Sequence, residues 1–256
     1  MTSSQLVKET MKGNNPGRTP VYGWLSTNLT EQLTNAFGSV ESFEDKYEFD
    51  MAHIFGCPQF YGEELEMLRA SAGELTPELL LDVPMKSIDS ENDYAGVIAG
   101  LKHHKARDRF CYVQTDGIFE AMNGVFGIEN HLLYMALYPD ELKELYRRLA
   151  DWNIKNAENL AILGVDDIHV SDDWGAQKNL MFSTDMFREM IYPNHRKMVE
   201  SYKKLDVMTS LHSDGCITPA LGFVADIGYD FIHPWQENCN MPYSICITTP
   251  AKWQTA

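Results

Sequence analysis

Val165-Asp166-Asp167-Ile168-His169-Val170-Ser171-Asp172-Asp173-Trp174-Gly175 is the stretch that decides the fold. Its first six residues read as a β-strand, and they run without a spacer into a cluster of polar side chains. A helix leads into it: Pro139 with Asp140 and Glu141 supplies the start, and Leu142, Leu145, Leu149 and Trp152 recur at helical spacing. Glu144 and Arg148 make an i,i+4 pair on the polar face, and Gly164 ends the helix. Downstream, Ser183 caps a helix carrying Phe187, Met190, Ile191, Met198, Val199 and Tyr202, with a kink expected at Pro193. A strand at residues 207–211 then runs into His212-Ser213-Asp214-Gly215. A third helix, residues 219–227, ends at Gly228, and Asp230-Phe231-Ile232-His233 leads to Pro234-Trp235-Gln236-Glu237-Asn238. Strand, polar tip and helix thus recur as a unit.

Upstream, Phe110-Cys111-Tyr112-Val113-Gln114 reads as a strand ending in Thr115-Asp116-Gly117, and residues 48–54 as a weaker one before Gly56-Cys57-Pro58. The first 45 residues and residues 63–109 read as mainly helical, with acidic runs on solvated faces. Repeated strand–helix units imply a parallel sheet, because each return to a parallel strand needs a crossover. An open doubly wound sheet would bind a nucleotide through a glycine-rich first turn, yet the sequence holds neither GxGxxG nor GxxxxGK[ST]. A barrel instead gathers polar side chains from several strand ends around one pocket, which matches the polar tips. The expected fold is therefore α/β, a (β/α)8 TIM barrel. The strand candidates fall short of the eight that a closed barrel uses, so the barrel is expected to be incomplete at the C-terminus. The expected division is a helical extension at 1–45, a partial barrel at 46–241 and an aberrant tail at 242–256. That tail, beginning Pro242-Tyr243-Ser244-Ile245-Cys246, fits neither a helix nor the approach to another strand and reads as the product of a frameshift or premature stop.

Of 256 residues, 44% are hydrophobic, enough for a sizeable core. With 37 acidic against 21 basic residues the formal charge is -16, which repels nucleic-acid backbones and anionic lipid. The N-terminus lacks a basic segment followed by an apolar one, and no run approaches the ~20 apolar residues of a membrane span. The expected location is cytoplasmic. Five cysteines, an odd number with no CxxC pair, read as free thiols.

Acidic groups and histidines at buried strand ends are costly unless paired or coordinated. Asp116, Asp172, Asp173, His212, Asp214 and Glu237 are the candidates. His212 and Asp214, two residues apart, offer an imidazole nitrogen and a carboxylate oxygen, both of which zinc accepts. Side chains alternate at a strand end, so one of Asp172 and Asp173 points into the pocket while the other caps the next loop or helix. His169 reads as a satisfied core histidine, and His103, His104, His131 and His195 as surface or packing residues. His233 is left open, and Cys216 reads as a thiol filling a loop. Asp173 and Glu237 as a pair of glycosidase carboxylates is a third reading of the same strand ends.

The order Val170-Ser171-Asp172-Asp173-Trp174-Gly175-Ala176-Gln177, then Leu211-His212-Ser213-Asp214-Gly215, then Gly228-Tyr229-Asp230-Phe231-Ile232-His233-Pro234-Trp235-Gln236-Glu237 resembles the uroporphyrinogen decarboxylase superfamily. It is most similar to the branch of corrinoid-dependent methyltransferases, which includes methyl-ether O-demethylases and methylcobamide:coenzyme M methyltransferases. The resemblance covers residues 17–241. It implies a (β/α)8 barrel with zinc in its mouth and a corrinoid carried by a partner protein. Where the coenzyme M enzymes have His-x-Cys and a later cysteine, this chain has His212-Ser213-Asp214, so a carboxylate replaces the sulfur. Glu237 or Cys239 would complete the ligand set. On this resemblance the expected site is Asp173 and Asp116 as catalytic groups, Trp174, Gln236 and Trp24 against substrate, and His212, Asp214 and Glu237 on the metal. The expected activity is zinc-dependent methyl transfer between a small donor, such as a methyl ether, and the corrinoid protein. Porphyrinogen decarboxylation is the alternative; it calls for an arginine-rich N-terminal segment, and Gly17-Arg18-Thr19-Pro20-Val21-Tyr22-Gly23-Trp24 keeps a single arginine. An inactive truncated remnant is the reading from a different class.

Overall fold

The computed structural model describes residues 1–25 and 29–244. Five strands, β1 (Met51–Ile54), β2 (Phe110–Asp116), β3 (Asp167–Ser171), β4 (Met208–His212) and β5 (Phe231–His233), form one sheet. They lie in the order β1-β2-β3-β4-β5, each parallel to the next. A doubly wound sheet reverses its order at a switch point. This sheet steps one way throughout, as the wall of a barrel does. The described strands form an open wall, with β1 and β5 at its edges.

The two faces of the sheet differ in chemistry. Ala52, Ile54, Cys111, Val113, Ile168, Val170 and Leu211 pack into the main apolar core beneath the helices. Their alternates, among them His53, Tyr112, Gln114, His169, Ser210, His212 and His233, occupy the opposite face, the interior of a barrel.

The helices follow local sequence closely. The Pro139–Leu163 helix has its proline in the first turn and ends at Gly164 with φ 85°. It buries Leu142, Leu145, Leu149 and Trp152, and its Glu144 and Arg148 pair at 2.9 Å. Ser183 Oγ accepts from the Met186 N–H, as a helix cap does. The kink expected at Pro193 takes the form of a π turn, Phe187–Ile191, ahead of the Tyr192–Tyr202 helix. Pro193 has no N–H for the carbonyl of Glu189, and a wider turn absorbs the gap. The third helix is shorter than expected, Leu221–Ile227 after a 3₁₀ turn at Thr218–Ala220, and it ends at Gly228 with φ 93°.

The N-terminal segment packs directly on the sheet. Thr2 and Gln5 form a reciprocal cap for the Ser3–Met11 helix, and Val7 is buried against Phe110 and Tyr112. Asp50 and Asp166, just ahead of β1 and β3, anchor this segment: Asp50 takes Ser3 Oγ at 2.6 Å and a two-pronged Arg18 at 2.6 and 2.7 Å. Asp166 pairs with Lys8 at 2.7 Å and also with Lys105. Cys57, Cys111, Cys216 and Cys239 are free thiols. Cys246 and most of the expected aberrant tail, residues 245–256, lie outside the described residues. Among the described residues no helix is long and apolar enough to cross a membrane.

Candidate functional site

Four of the five strands carry a histidine on the interior face: His53 on β1, His169 on β3, His212 on β4 and His233 on β5. The register sets His212 level with His233, while His169 is level with Ser210 and His53 with Tyr112. His212 Nδ1 lies 3.2 Å from His233 Nδ1. Its Nε2 points the other way, 3.6 Å from Asp173 Oδ1 and 3.9 Å from Asp214 Oδ2. His169 Nδ1 is 2.6 Å from Ser210 Oγ, and that hydroxyl donates to Asp167 Oδ2 at 2.6 Å. His53 Nε2–H donates to Gln114 Oε1 at 2.8 Å, leaving its buried Nδ1 without a partner. Trp24 covers the group, its ring 4.8 Å from His53, 4.9 Å from His212 and stacked on His233 at 5.6 Å.

Burial, reinforced by repulsion from neighbouring imidazoles, lowers His53 and His233 to about 4 and His169 well below the ordinary value. These rings are neutral at physiological pH, the form in which imidazole ligates a metal. Two groups among the described residues bring three donor atoms within 4.8 Å of one another: His169, His212 and His233, and Asp173, His212 and Asp214.

The loops after β3, β4 and β5 are stapled together around this group. Asp173 Oδ1 accepts from the Asp214 N–H at 2.7 Å, Gln236 Oε1 from the Gly215 N–H at 2.6 Å, and Ser213 Oγ from the Trp174 N–H at 3.0 Å. Gln236 Nε2 donates to Asp214 Oδ1 at 3.2 Å, so Gln236 holds the loop that carries Asp214. Two glycines let these loops meet: a Cβ on Gly175 would lie 2.3 Å from the Asp214 carbonyl, and one on Gly215, at φ +78°, 2.6 Å from the Gly175 backbone. Burial raises the Asp173 carboxyl above the usual range, which favours a proton there.

Asp172 points the opposite way. It is fully buried and accepts from the Glu120 N–H at 2.7 Å, Trp174 Nε1 at 2.8 Å and His195 Nε2 at 2.7 Å. Two expected roles do not survive this geometry. Trp174 is fully buried against Phe187 and His195, so it packs the core and presents no surface to a substrate. Glu237 is exposed in a 3₁₀ turn, Glu237–Cys239, and belongs to neither ligand group. It lies four residues past β5, where strand alternation no longer dictates direction.

Asp116 lies at the end of β2 beside a cavity of about 640 Å³ that Glu120, Arg69, Phe60, Tyr61 and Asn123 also line. Burial and the charge of Asp172 raise Asp116. Glu120 is raised to about 7, chiefly by burial, although Ser171 Oγ donates to it at 2.8 Å. Sequence reasoning passed over Glu120, His53 and the joint placement of His169 and His233. The available signal was one histidine in each of four strands, at alternation-matched positions.

A family model described as uroporphyrinogen decarboxylase (URO-D) matches residues 75–240, well over half of the chain. Among solved structures the chain is similar to a methyltransferase from Methanosarcina mazei, with a TM-score of 0.68 and 15% identity over 91% of this chain and 75% of that one. At that identity the likeness shows the fold, a barrel-type α/β wall. No curated protein matches the chain.

Proposed function

The chain belongs to the uroporphyrinogen decarboxylase family, and from that premise we propose that it is a methyltransferase. It moves a methyl group between a small donor, a methyl ether being the first to test, and a corrinoid carried on a partner protein, with zinc held through His212. The observation that carries this reading is His212 itself, which belongs to both potential ligand groups, with Nδ1 beside His233 and Nε2 beside Asp173 and Asp214. The Methanosarcina mazei neighbour adds support through its fold.

When bound, zinc supplies a Lewis acid for the oxygen or sulfur that gains or loses the methyl group. The chain's own residues do the rest. In ether cleavage the methyl carbon leaves with the C–O bonding pair remaining on oxygen, and that oxygen needs a proton. Asp173, raised by burial and held by the Asp214 N–H, is placed to supply that proton from its free oxygen. Trp24 shields the imidazoles from water on one side, and Gln236 fixes the loop bearing Asp214. Decarboxylation of a polycarboxylate would instead need free cations to hold the carboxylates. Arg18 is committed to Asp50, and Arg69 to Glu66 and two backbone carbonyls.

The test is to incubate the full chain with cob(I)alamin and a panel of methoxylated donors and to follow methylcobalamin by absorbance, beside a His212→Ala variant. Methylcobalamin formed by the wild type and abolished in the variant is the expected result. No methylcobalamin across the panel, together with turnover of uroporphyrinogen, would replace this reading with decarboxylation.

A further inference from the structure

We propose that the zinc lies between His169, His212 and His233, with His212 entering through Nδ1 and turning its Nε2–H toward Asp173 and Asp214. This rests on the reading above, which requires only that His212 be a ligand, and it changes the remaining ligands from carboxylates to imidazoles.

The spacing is the first argument. Two nitrogens on one tetrahedral zinc, each about 2.0–2.1 Å from the metal, stand about 3.3 Å apart. His212 Nδ1 and His233 Nδ1 are 3.2 Å apart, and one nitrogen from each of the three rings lies within 4.8 Å of the other two. The second argument is how His169 is held. Its Nδ1 is engaged by Ser210 Oγ, which lies 2.6 Å from Asp167 Oδ2, so Nε2 is the ring nitrogen left for a metal. A carboxylate acting through a hydroxyl on the distal ring nitrogen is the outer-sphere arrangement that fixes a ligating histidine's tautomer and orientation.

The carboxylate group is the weaker cage. Asp173 Oδ1, the atom nearest His212 Nε2, already accepts the Asp214 N–H, and the Asp214 side chain is 53% exposed. Oxygen-rich sets suit magnesium, calcium or manganese, while imidazole nitrogens suit zinc. At 3.6 and 3.9 Å the two carboxylates face the Nε2–H of a metal-bound ring, the position of an outer partner. Three histidines leave a fourth position on zinc for a substrate atom, as catalytic sites require. This set departs from the His-x-Cys pattern because the chain has Asp214 where the sulfur would be.

Zinc binding to the full chain would be measured by competition with a chromophoric chelator in wild type, H169Q, H212Q, H233Q, the D173N/D214N double variant and S210A, with folding checked by circular dichroism. The three histidine variants should each lose well over about 100-fold in affinity, while the double variant and S210A lose about 10- to 100-fold at most, the scale of an outer-partner loss. Nitrogen-15 histidine NMR of the wild type needs no variant: zinc should shift Nε2 of His169 and Nδ1 of His212 and His233. Affinity lost in D173N/D214N but kept in H169Q and H233Q, or a shift confined to His212 Nε2, would overturn the three-histidine site and leave methyl transfer standing. Zinc binding equal in H212Q and wild type would sink both metal readings. Methylcobalamin formation, read separately, reports on the methyl-transfer reading whatever the ligand set.

Discussion

Asp172 and Asp173 are adjacent carboxylates with opposite surroundings. Asp172 takes three donors in the core, and Asp173 faces the strand-end loops. Trp174→Phe keeps most of the ring packing but removes the indole N–H from Asp172. The loss of a hydrogen bond to a buried carboxylate should destabilise the chain by about 1.5–3 kcal/mol, read as a lower urea midpoint at unchanged slope, with KM for the donor of the proposed reaction unaffected. A rise in KM with stability intact would return Trp174 to the substrate site. Glu120 makes a pH prediction. Its carboxyl, raised from 4.5 to about 7 chiefly by burial, binds a proton more tightly in the folded chain than in the unfolded one. The stability it contributes is full below pH 4.5 and is lost as pH rises through about 7. Glu120→Gln should flatten the fall in unfolding free energy across that window, and a curve as steep as the wild type's would disprove the assignment. The division between Asp172 and Asp173 was legible in the sequence because alternation at a strand end forces it. His169 and His233 were not recognised as partners, because lateral register between strands is invisible within any one strand.

At the scale of elements, the strand-end loops depend on two glycines with no room for a side chain. Gly215→Ala adds a Cβ 2.6 Å from the Gly175 backbone at φ +78°, so both the strain and the clash must be relieved by moving the loop. The expected loss is above about 2 kcal/mol in urea unfolding, with weaker binding of the proposed zinc because Asp214 and Gln236 shift with Gly215. Gly124→Ala is the control. It lies inside the Ile118–Phe126 helix, and nothing is within 4 Å of its added Cβ, so alanine should stabilise by about 0.4–1 kcal/mol. Equal effects from the two substitutions would show that the loop contact is dispensable. Helix ends at Gly164 and Gly228 and the polar strand tips were legible, because capping and period act over a few residues. The contact of Gly175 with Gly215 was not, since it joins two loops separated by a whole helix.

For the molecule as a whole, the sequential parallel sheet follows from repeated strand–helix units, and that much the pattern of the chain dictated. What covers the interior face did not follow from pattern: Val7 against Phe110 and Tyr112, Tyr22 Oη 2.6 Å from Tyr112 Oη, and Trp24 over the histidines. These contacts span large sequence separations and carry no local signal. Charge also acts at this scale, and in two opposed ways. The formal charge of -16 makes the folded chain repel itself. Set against it are cation–carboxylate pairs ahead of the strands: Lys8 with Asp166, Arg18 with Asp50, and Arg109 with Glu44 and Asp45. Salt screens the diffuse repulsion over a Debye length of about 10 Å at 0.1 M and weakens buried pairs much less. Asp50, Asp166 and Arg109 are almost wholly buried, so screening should relieve more repulsion than attraction. Raising sodium chloride from about 0.02 to 0.5 M should therefore raise Tm by a few degrees, with about 2–4 °C for each kcal/mol regained at this chain length. A fall in Tm over that range would mean that the ion pairs outweigh the net charge, and Arg18→Gln would then lessen the salt dependence by the share of one pair.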